Sequence, residues 1–312
     1  MKILACGDLH VRETTPGMRT EDDFFQEVIV PKLEWIVKTA NTNDAVICIA
    51  GDLFDKASTR YELTNTVSAV FRKAIHQPIA IPGQHDMNYH SEKLIDTPYH
   101  TLSESGAIYD INGISQVFIG EPNFEGAGFG VPPQEKECGV LITHFCIAEK
   151  DPPWFLTGAM SALAYLKAYP MYKLIISGDY HVPHVTKYKG RLLVNCGPLY
   201  RKEKTQVDFQ PVVHLIDTES NSCKSIPVPI REGKVAFDLE KIAKAKEMGL
   251  SQDEEGMDTT VLREMIMGST DKAPAEFPEV VSMVSTQYAE DRGVVVPTDR
   301  LNSIMKRAQN GN

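Results

Sequence analysis

The chain has 312 residues, 42% of them hydrophobic and 24% charged, and a formal net charge of −10. That composition excludes a wholly disordered, collagen-like or disulfide-scaffold chain, and the acidic balance excludes a protein that coats nucleic acid through bulk positive charge. No apolar run reaches the roughly 20 residues that span a bilayer, and the first apolar run is too short for a signal-peptide core, so a cytoplasmic protein with no membrane association is expected.

In chain order, short β-branched runs that break off at Gly, Asp, His or Pro alternate with amphipathic stretches. The pattern predicts a strand over 2–6, a helix over 22–40, a strand over 45–50, a helix over 60–75 and a strand over 78–81. Strands are then expected over 116–119 and 139–143, a helix over 161–169, and strands over 173–177, 192–195 and 212–217. In the first helix Phe25, Val28, Ile29, Leu33, Ile36 and Val37 recur at helical spacing, but Pro31 must kink or divide it. Early strands alternate with helices and later ones cluster, which predicts an α/β core whose sheets are covered by helices. The six cysteines include no CxxC pair and read as buried free thiols. From about Arg231 the β-branched runs stop, and helices are expected over 234–248, 260–267, 277–289 and 298–308. Residues 1–230 are therefore expected to form one α/β domain, and residues 231–312 a small helical C-terminal appendage.

The informative residues stand at the strand ends. Gly7-Asp8-Leu9-His10 comes after the first strand, Gly51-Asp52-Leu53-Phe54-Asp55 after the second and Gly83-Gln84-His85-Asp86 after the third. Thr143-His144 ends a later strand, and Gly178-Asp179-Tyr180-His181-Val182-Pro183-His184 ends the next. Five strands thus deliver Asp or His at their carboxyl ends, where open α/β sheets place their ligands. Each element alone is an ordinary turn; five in succession predict a shared metal site. Oxygen and imidazole donors without a thiolate suit Mn, Fe, Zn or Mg better than a structural zinc site.

The order DxH, GD, GQHD, H, GDxH resembles the calcineurin-like metallophosphoesterase superfamily, and residues 2–10 and 49–55 are most similar to SbcD-type nucleases of DNA repair, including compact phage-encoded versions. For a phage version, the cytoplasm is the host's. The resemblance implies a two-layer β-sandwich flanked by helices (an αββα core) and two divalent ions, with Mn preferred over Mg, Fe or Zn. It implies that Asp8, His10 and His181 hold the first metal, that Asp52 bridges both, and that Gln84, His144 and Asp179 complete the second. His85 becomes the acid that protonates the leaving oxygen while activated water attacks phosphorus in line, and Asp86 orients His85 or its loop.

Two positions depart from the family pattern, which has Asn at Gln84 and His at Asp179. The longer amide and the added carboxylate are expected to shift the second site toward Mn or Mg; the alternative is a degraded site and a scaffold that has lost catalysis. The resemblance also implies DNA as substrate, an SbcC-type ABC ATPase as partner and a homodimer, against an alternative phosphodiesterase or phosphatase on small nucleotides or phosphoprotein. Exonuclease and endonuclease action both stay open. Candidate substrate contacts are His184, Arg201, the aromatic stretches 89–99 and 151–155, and the basic residues Lys187, Lys189, Arg191, Lys202 and Lys204. Asp55 serves either to position a ligand loop or to cap a helix.

Overall fold

The computed structural model describes residues 1–88, 94–114, 122–134, 139–152, 158–202, 206–231, 233–240 and 243. All of them belong to one unit, Met1–Ser251. The strand expected over 116–119, residues 89–93 and 153–155 of the two aromatic stretches, Lys204, the end of the helix expected over 234–248 and the three helices expected after it lie outside them.

The first half of the chain is a series of strand–helix units. Strand β1 (Lys2–Cys6) leads to α1 (Val30–Asn43), β2 (Ala45–Ala50) to α2 (Tyr61–Phe71), and β3 (Ile79–Ile81) to α3 (Pro98–Glu104) and β4 (Tyr109–Asp110). These four strands are parallel neighbours in the order 1-2-3-4. The expected helix over 22–40 changes pitch just before its proline without breaking. A wide π-type turn over Phe25–Ile29 precedes α1, with Pro31 in the first turn of α1, where its missing N–H removes no necessary bond. The helix α3 starts on Thr97, whose side chain accepts the His100 N–H at 3.1 Å.

The second half builds a second sheet from β5 (Phe124–Ala127), β6 (Val140–Thr143), β9 (Leu174–Ser177), β10 (His184–Tyr188) and β11 (Arg191–Asn195). Between them lie the two-residue strands β7 (Ile147–Ala148) and β8 (Met160–Ser161) and the helix α4 (Ala162–Ala168). The order is β10-β11-β9-β6-β5, with only β10 antiparallel. The chain then returns to the first sheet with β12 (Val212–Asp217), antiparallel to β1, and β13 (Ser222–Pro227) at the edge.

Period-two alternation explains the layering. Ile3, Ala5, Val46, Cys48, Ile79 and Ile81 point from the first sheet toward Phe124, Val140, Ile142, Ile176 and Val194 of the second, forming one buried cluster. The opposite side chains of the first sheet, Leu4, Ile47 and Ile49, pack on Leu33, Ile36, Val67 and Phe71 of the helices. On the outer face of the second sheet Leu141, Ile175 and Leu193 pack on Tyr165 and Leu166. The fold is therefore the expected helix-flanked pair of β-sheets. Cys6, Cys48 and Cys196 are buried free thiols in these layers. Among the described residues, no helix is long and apolar enough to cross a membrane.

The first compact unit runs on past residue 230. Phe237 is 1% exposed, pairs with Arg19 in an isolated bridge, and lies under the guanidinium groups of Arg19 and Arg201. Beside it Lys32 is buried, its Nζ donating to the Pro229 carbonyl at 2.7 Å. Burial, with Arg19 and Arg201 close by, pushes the Lys32 ammonium down to about 7. An unfolded lysine titrates near 10.4, so between about pH 7 and about pH 10 only the unfolded chain holds this proton and stability rises with pH; below that window the full penalty is present. Thermal denaturation followed across the window is expected to show Lys32→Met more stable than wild type at neutral pH, with a flatter slope. A variant as pH-sensitive as wild type would show that Lys32 does not drive it.

Candidate metal centre

The loops after β1 and β2 are zipped together by their backbones. Asp8 N–H donates to Gly51 O (3.1 Å), His10 N–H to Asp52 O (2.9 Å) and Val11 N–H to Leu53 O (2.9 Å). The zip holds Asp8, His10 and Asp52 at positive φ (47°, 40° and 48°), and Asp179 stands at 73°. Non-glycine residues adopt this region at a cost of about 1–3 kcal/mol each, sustained only where the surroundings over-determine it. Glycines at two neighbouring positions make room: a Cβ on Gly83 would strike the Asp52 carboxylate, and one on Gly51 the His144 ring.

These loops bring Asp8, His10, Asp52, His85, His144 and His181 together. Three sets have ligand atoms mutually within 4.8 Å: Asp8–His10–His181, His10–Asp52–His85, and Asp8–Asp52–His144. At their middle, Asp52 Oδ2 lies 3.5 Å from His144 Nε2, 3.8 Å from His10 Nε2 and 4.0 Å from His85 Nε2. The Nε2 atoms of His10 and His181 face one another at 3.3 Å. Among the described residues, five buried side-chain atoms lack a hydrogen-bond partner, and two converge here, Asp8 Oδ2 and Asp52 Oδ2, while a third, His10 Nδ1, lies on the opposite, Asp55 side of its ring. Buried acceptors are ordinarily satisfied, so convergent unsatisfied ones suit a cation. The donor set fits divalent metal.

Electrostatics agree. Burial holds the His10 imidazole well below its ordinary value, leaving it neutral with a lone pair to offer. Burial also disfavours ionisation of Asp52, yet His144, His10 and His85 together hold it well below the carboxylate range. For Asp8 burial prevails and raises the carboxyl to about 6. Burial opposes protonation of His144, but Asp52, Asp179 and Asp8 outweigh it and raise the ring to about 10. The carboxylates thus demand positive charge, which a proton on His144 answers in part and a divalent ion answers better.

The two departures from the family pattern touch each other. Gln84 Nε2 donates to Asp179 Oδ1 at 3.0 Å, and Gln84 Oε1 lies 2.7 Å from His144 Nε2. The longer glutamine thus spans to the carboxylate and still presents its amide oxygen beside His144. The His144 Nδ1–H donates to Ala50 O at 2.8 Å, which orients the ring with Nε2 toward Asp52. Asp179 N–H donates to Asp8 Oδ1 at 3.0 Å, and His85 N–H to Asp52 Oδ1 at 3.0 Å. The His85 side chain is 25% exposed and lies edge-on to His10, at the rim where a substrate oxygen can reach it.

Asp86 sits as its loop-orienting reading expects, while His184, Arg201 and Arg191 sit differently from theirs. Asp86 is fully buried: its carboxylate accepts N–H groups from Gly83 (2.9 Å), Leu53 (3.1 Å) and Phe54 (2.8 Å) and locks two ligand loops together. His184 is buried at the start of β10, its Nε2 donating to Ile147 O at 2.9 Å, so it does not face a substrate. Arg201 is also buried, its guanidinium spent on the carbonyls of Val207 and Arg231, because the chain folds it under Phe237. Arg191 likewise donates to carbonyls at the end of α4, those of Leu166 and Tyr169.

Supporting residues that sequence reasoning missed close the site. Asn195 donates to Tyr180 O and to Val182 O (2.9 Å) and accepts from Ser177, clamping the loop that carries Asp179 and His181. Tyr200 OH donates to His10 O at 2.9 Å. The Asp55 carboxylate lies 3.8 Å from His10 Nδ1, and α2 is capped elsewhere, at Arg60, which decides between its two readings.

None of the curated proteins matches the chain. Among solved structures, it is similar to an archaeal phosphodiesterase (17% identity, 73% of this chain and 99% of that one, TM-score 0.42) and to the protein TT1561 of Thermus thermophilus (15%, 73% and 99%, 0.47). It is also similar to a putative 5'-nucleotidase from Staphylococcus aureus, of which it spans 58% (14% identity, 80% of this chain, TM-score 0.48). The match to the calcineurin-like phosphoesterase family runs over residues 1–183 and so takes in every loop of the centre. The chain belongs to the calcineurin-like phosphoesterase family.

Proposed function

We propose that the protein is a Mn-dependent DNA nuclease of the SbcD type, hydrolysing phosphodiester bonds in concert with an SbcC-type ABC ATPase. The observation that carries the hydrolase reading is the buried Oδ2 of Asp52, unpartnered and within 4.0 Å of three imidazoles. The nuclease reading is supported by the DLH and GDLFD segments and by an open cleft of about 360 Å³ that starts at Val11, next to His10.

Asp8, His10 and His181 would hold one ion and Gln84, His144 and Asp179 a second, with Asp52 shared between the two sets. Bound there, divalent metal supplies Lewis-acid polarisation of the phosphoryl group and acidifies water. Oxygen donors from Asp8, Asp52, Asp179 and Gln84 favour Mn or Mg over softer ions. The protein's own part is orientation and proton transfer. Asp52 Oδ1 fixes the His85 backbone, so the exposed His85 ring delivers a proton to the departing oxygen from a set direction. Asp86, whose carboxylate accepts three N–H groups, positions that loop.

Cleavage of single- and double-stranded DNA by the purified protein with Mn²⁺ tests this, with bis(p-nitrophenyl) phosphate in parallel. EDTA is expected to abolish activity, and His85→Ala to lower kcat by about 10²–10⁴-fold. Cleavage of the small ester alone, with or without an ATPase partner, would replace the nuclease reading by a nucleotide phosphodiesterase. No activity and no bound metal would leave a scaffold.

A further inference from the structure

Beside the metal centre, two cations share one carboxylate. Asp55 lies 3.4 Å from Arg12 and 3.5 Å from Lys202, and its own side chain is 10% exposed. Arg12 is fixed by its neighbour: Nε donates to Thr14 O and Nη2 to Thr14 Oγ1, each at 2.9 Å. Its remaining edge turns toward Asp55 and the cleft that it lines with Glu13, Lys56 and Arg60. Lys202 is 40% exposed and near enough to depress the His10 imidazole electrostatically. Within this rim Arg12, Lys56, Arg60 and Lys202 face Glu13 and Asp55, a surplus of two positive charges on a chain of net charge −10. Arg60 is answered by Glu13 at 3.1 Å, so the surplus concentrates on Arg12, Lys202 and Lys56.

We infer that Arg12 and Lys202 form a subsite for a second phosphate of the substrate, one diester removed from the bond that is cut. The inference rests on the phosphodiesterase reading and narrows it to substrates carrying at least two phosphates in a row, as a polynucleotide strand does. Asp55 serves as a positioning residue: it holds both cations at the mouth of the cleft, on the Nδ1 side of His10. A planar guanidinium pinned on two edges presents its free N–H groups in a fixed direction, which suits a phosphate better than a mobile lysine would alone. The subsite distinguishes a strand from a lone monoester because the latter has nothing to place there.

Two measurements test it on the full chain. In a His85→Ala background, which slows turnover by at least about 100-fold, binding of fluorescein-labelled dT12 is followed by anisotropy against salt. Lys202→Gln and Arg12→Gln are each expected to lower the slope of log K against log salt by about 0.7, and the pair by about 1.4, while Lys224→Ala on β13 leaves it unchanged. With His85 present, the ratio of kcat/KM for dT12 over thymidine 5'-p-nitrophenyl phosphate is expected to fall at least tenfold in the double variant. Lys202→Gln, at an accessible side chain, carries the test should Arg12→Gln destabilise the loop. An unchanged slope and ratio would overturn the subsite, and with the small ester still cleaved the hydrolase reading would survive. A reduced slope with neither substrate cleaved by wild type would keep the subsite and overturn the hydrolase.

Discussion

Asp52→Asn is expected to lower metal-dependent hydrolysis by at least about 10³-fold while leaving the fold intact. The side chain is 1% exposed; Oδ1 accepts the His85 N–H, and Oδ2 faces three imidazoles without a hydrogen bond. Asparagine keeps the first oxygen and so preserves the loop. It places a neutral NH₂ where the bridging oxygen stood, and a donor cannot bind a cation. Calorimetric titration with Mn²⁺ should therefore lose its tight phase. Thermal denaturation gives a second readout: ligand at about 100 times its Kd stabilises wild type by about 2.7 kcal/mol, and the variant should forfeit that increment. In chelator the variant should melt lower than wild type, because the Asp52 carboxylate that His144, His10 and His85 hold well below its ordinary range is a favourable charge and is gone. A variant that kept both the activity and the Mn²⁺-induced shift would remove Asp52 from the centre.

Asp86→Ala is expected to be the most destabilising substitution near the site, by about 3–6 kcal/mol. Three buried N–H groups, of Gly83, Leu53 and Phe54, would lose their acceptor, and each orphaned donor costs about 1–3 kcal/mol. For a domain of this size that corresponds to roughly 10–20 °C in Tm. Asp86→Asn retains one acceptor oxygen and should fall between. Because the same carboxylate joins the loop of Asp52 to that of Gln84 and His85, Mn²⁺ affinity measured well below Tm should drop about 10–100-fold. Lost activity with unchanged Tm and unchanged Mn²⁺ affinity would instead make Asp86 a participant in the chemistry.

Much of this centre is legible in the one-dimensional chain because its ligands sit where strands end. A run such as Ala45–Ala50 followed by Gly51-Asp52 announces both the strand and the turn that exposes its carboxylate. Other parts carry no such signal. Strand β5, Phe-Glu-Gly-Ala, has no β-branched run, and its buried Glu125 is tolerated only because Tyr172 OH donates to it at 2.9 Å. Strand β13, largely polar, pairs at the sheet edge where neither alternation nor burial marks it. Arg201 looks like a phosphate contact among basic neighbours, yet Phe237, 36 residues on, covers it.

What the sequence alone determined was the strands β1, β2, β3, β6, β9, β11 and β12, the residues at the carboxyl ends of those that carry the site and hence the chemistry of the donors, since these come from local alternation and turn geometry. The tertiary structure decided which of those residues meet. Parallel registry of β2 with β1 and β3 sets Asp52 between His10 and His85, and registry of β6 with β9 brings His144 beside Asp179. From that juxtaposition come the Gln84–Asp179 hydrogen bond across 95 residues and the Asp55 pairing with Lys202, neither of which has any local cause. Hydrogen bonds between loops depend on where the sheets deliver those loops, and that is a property of packing.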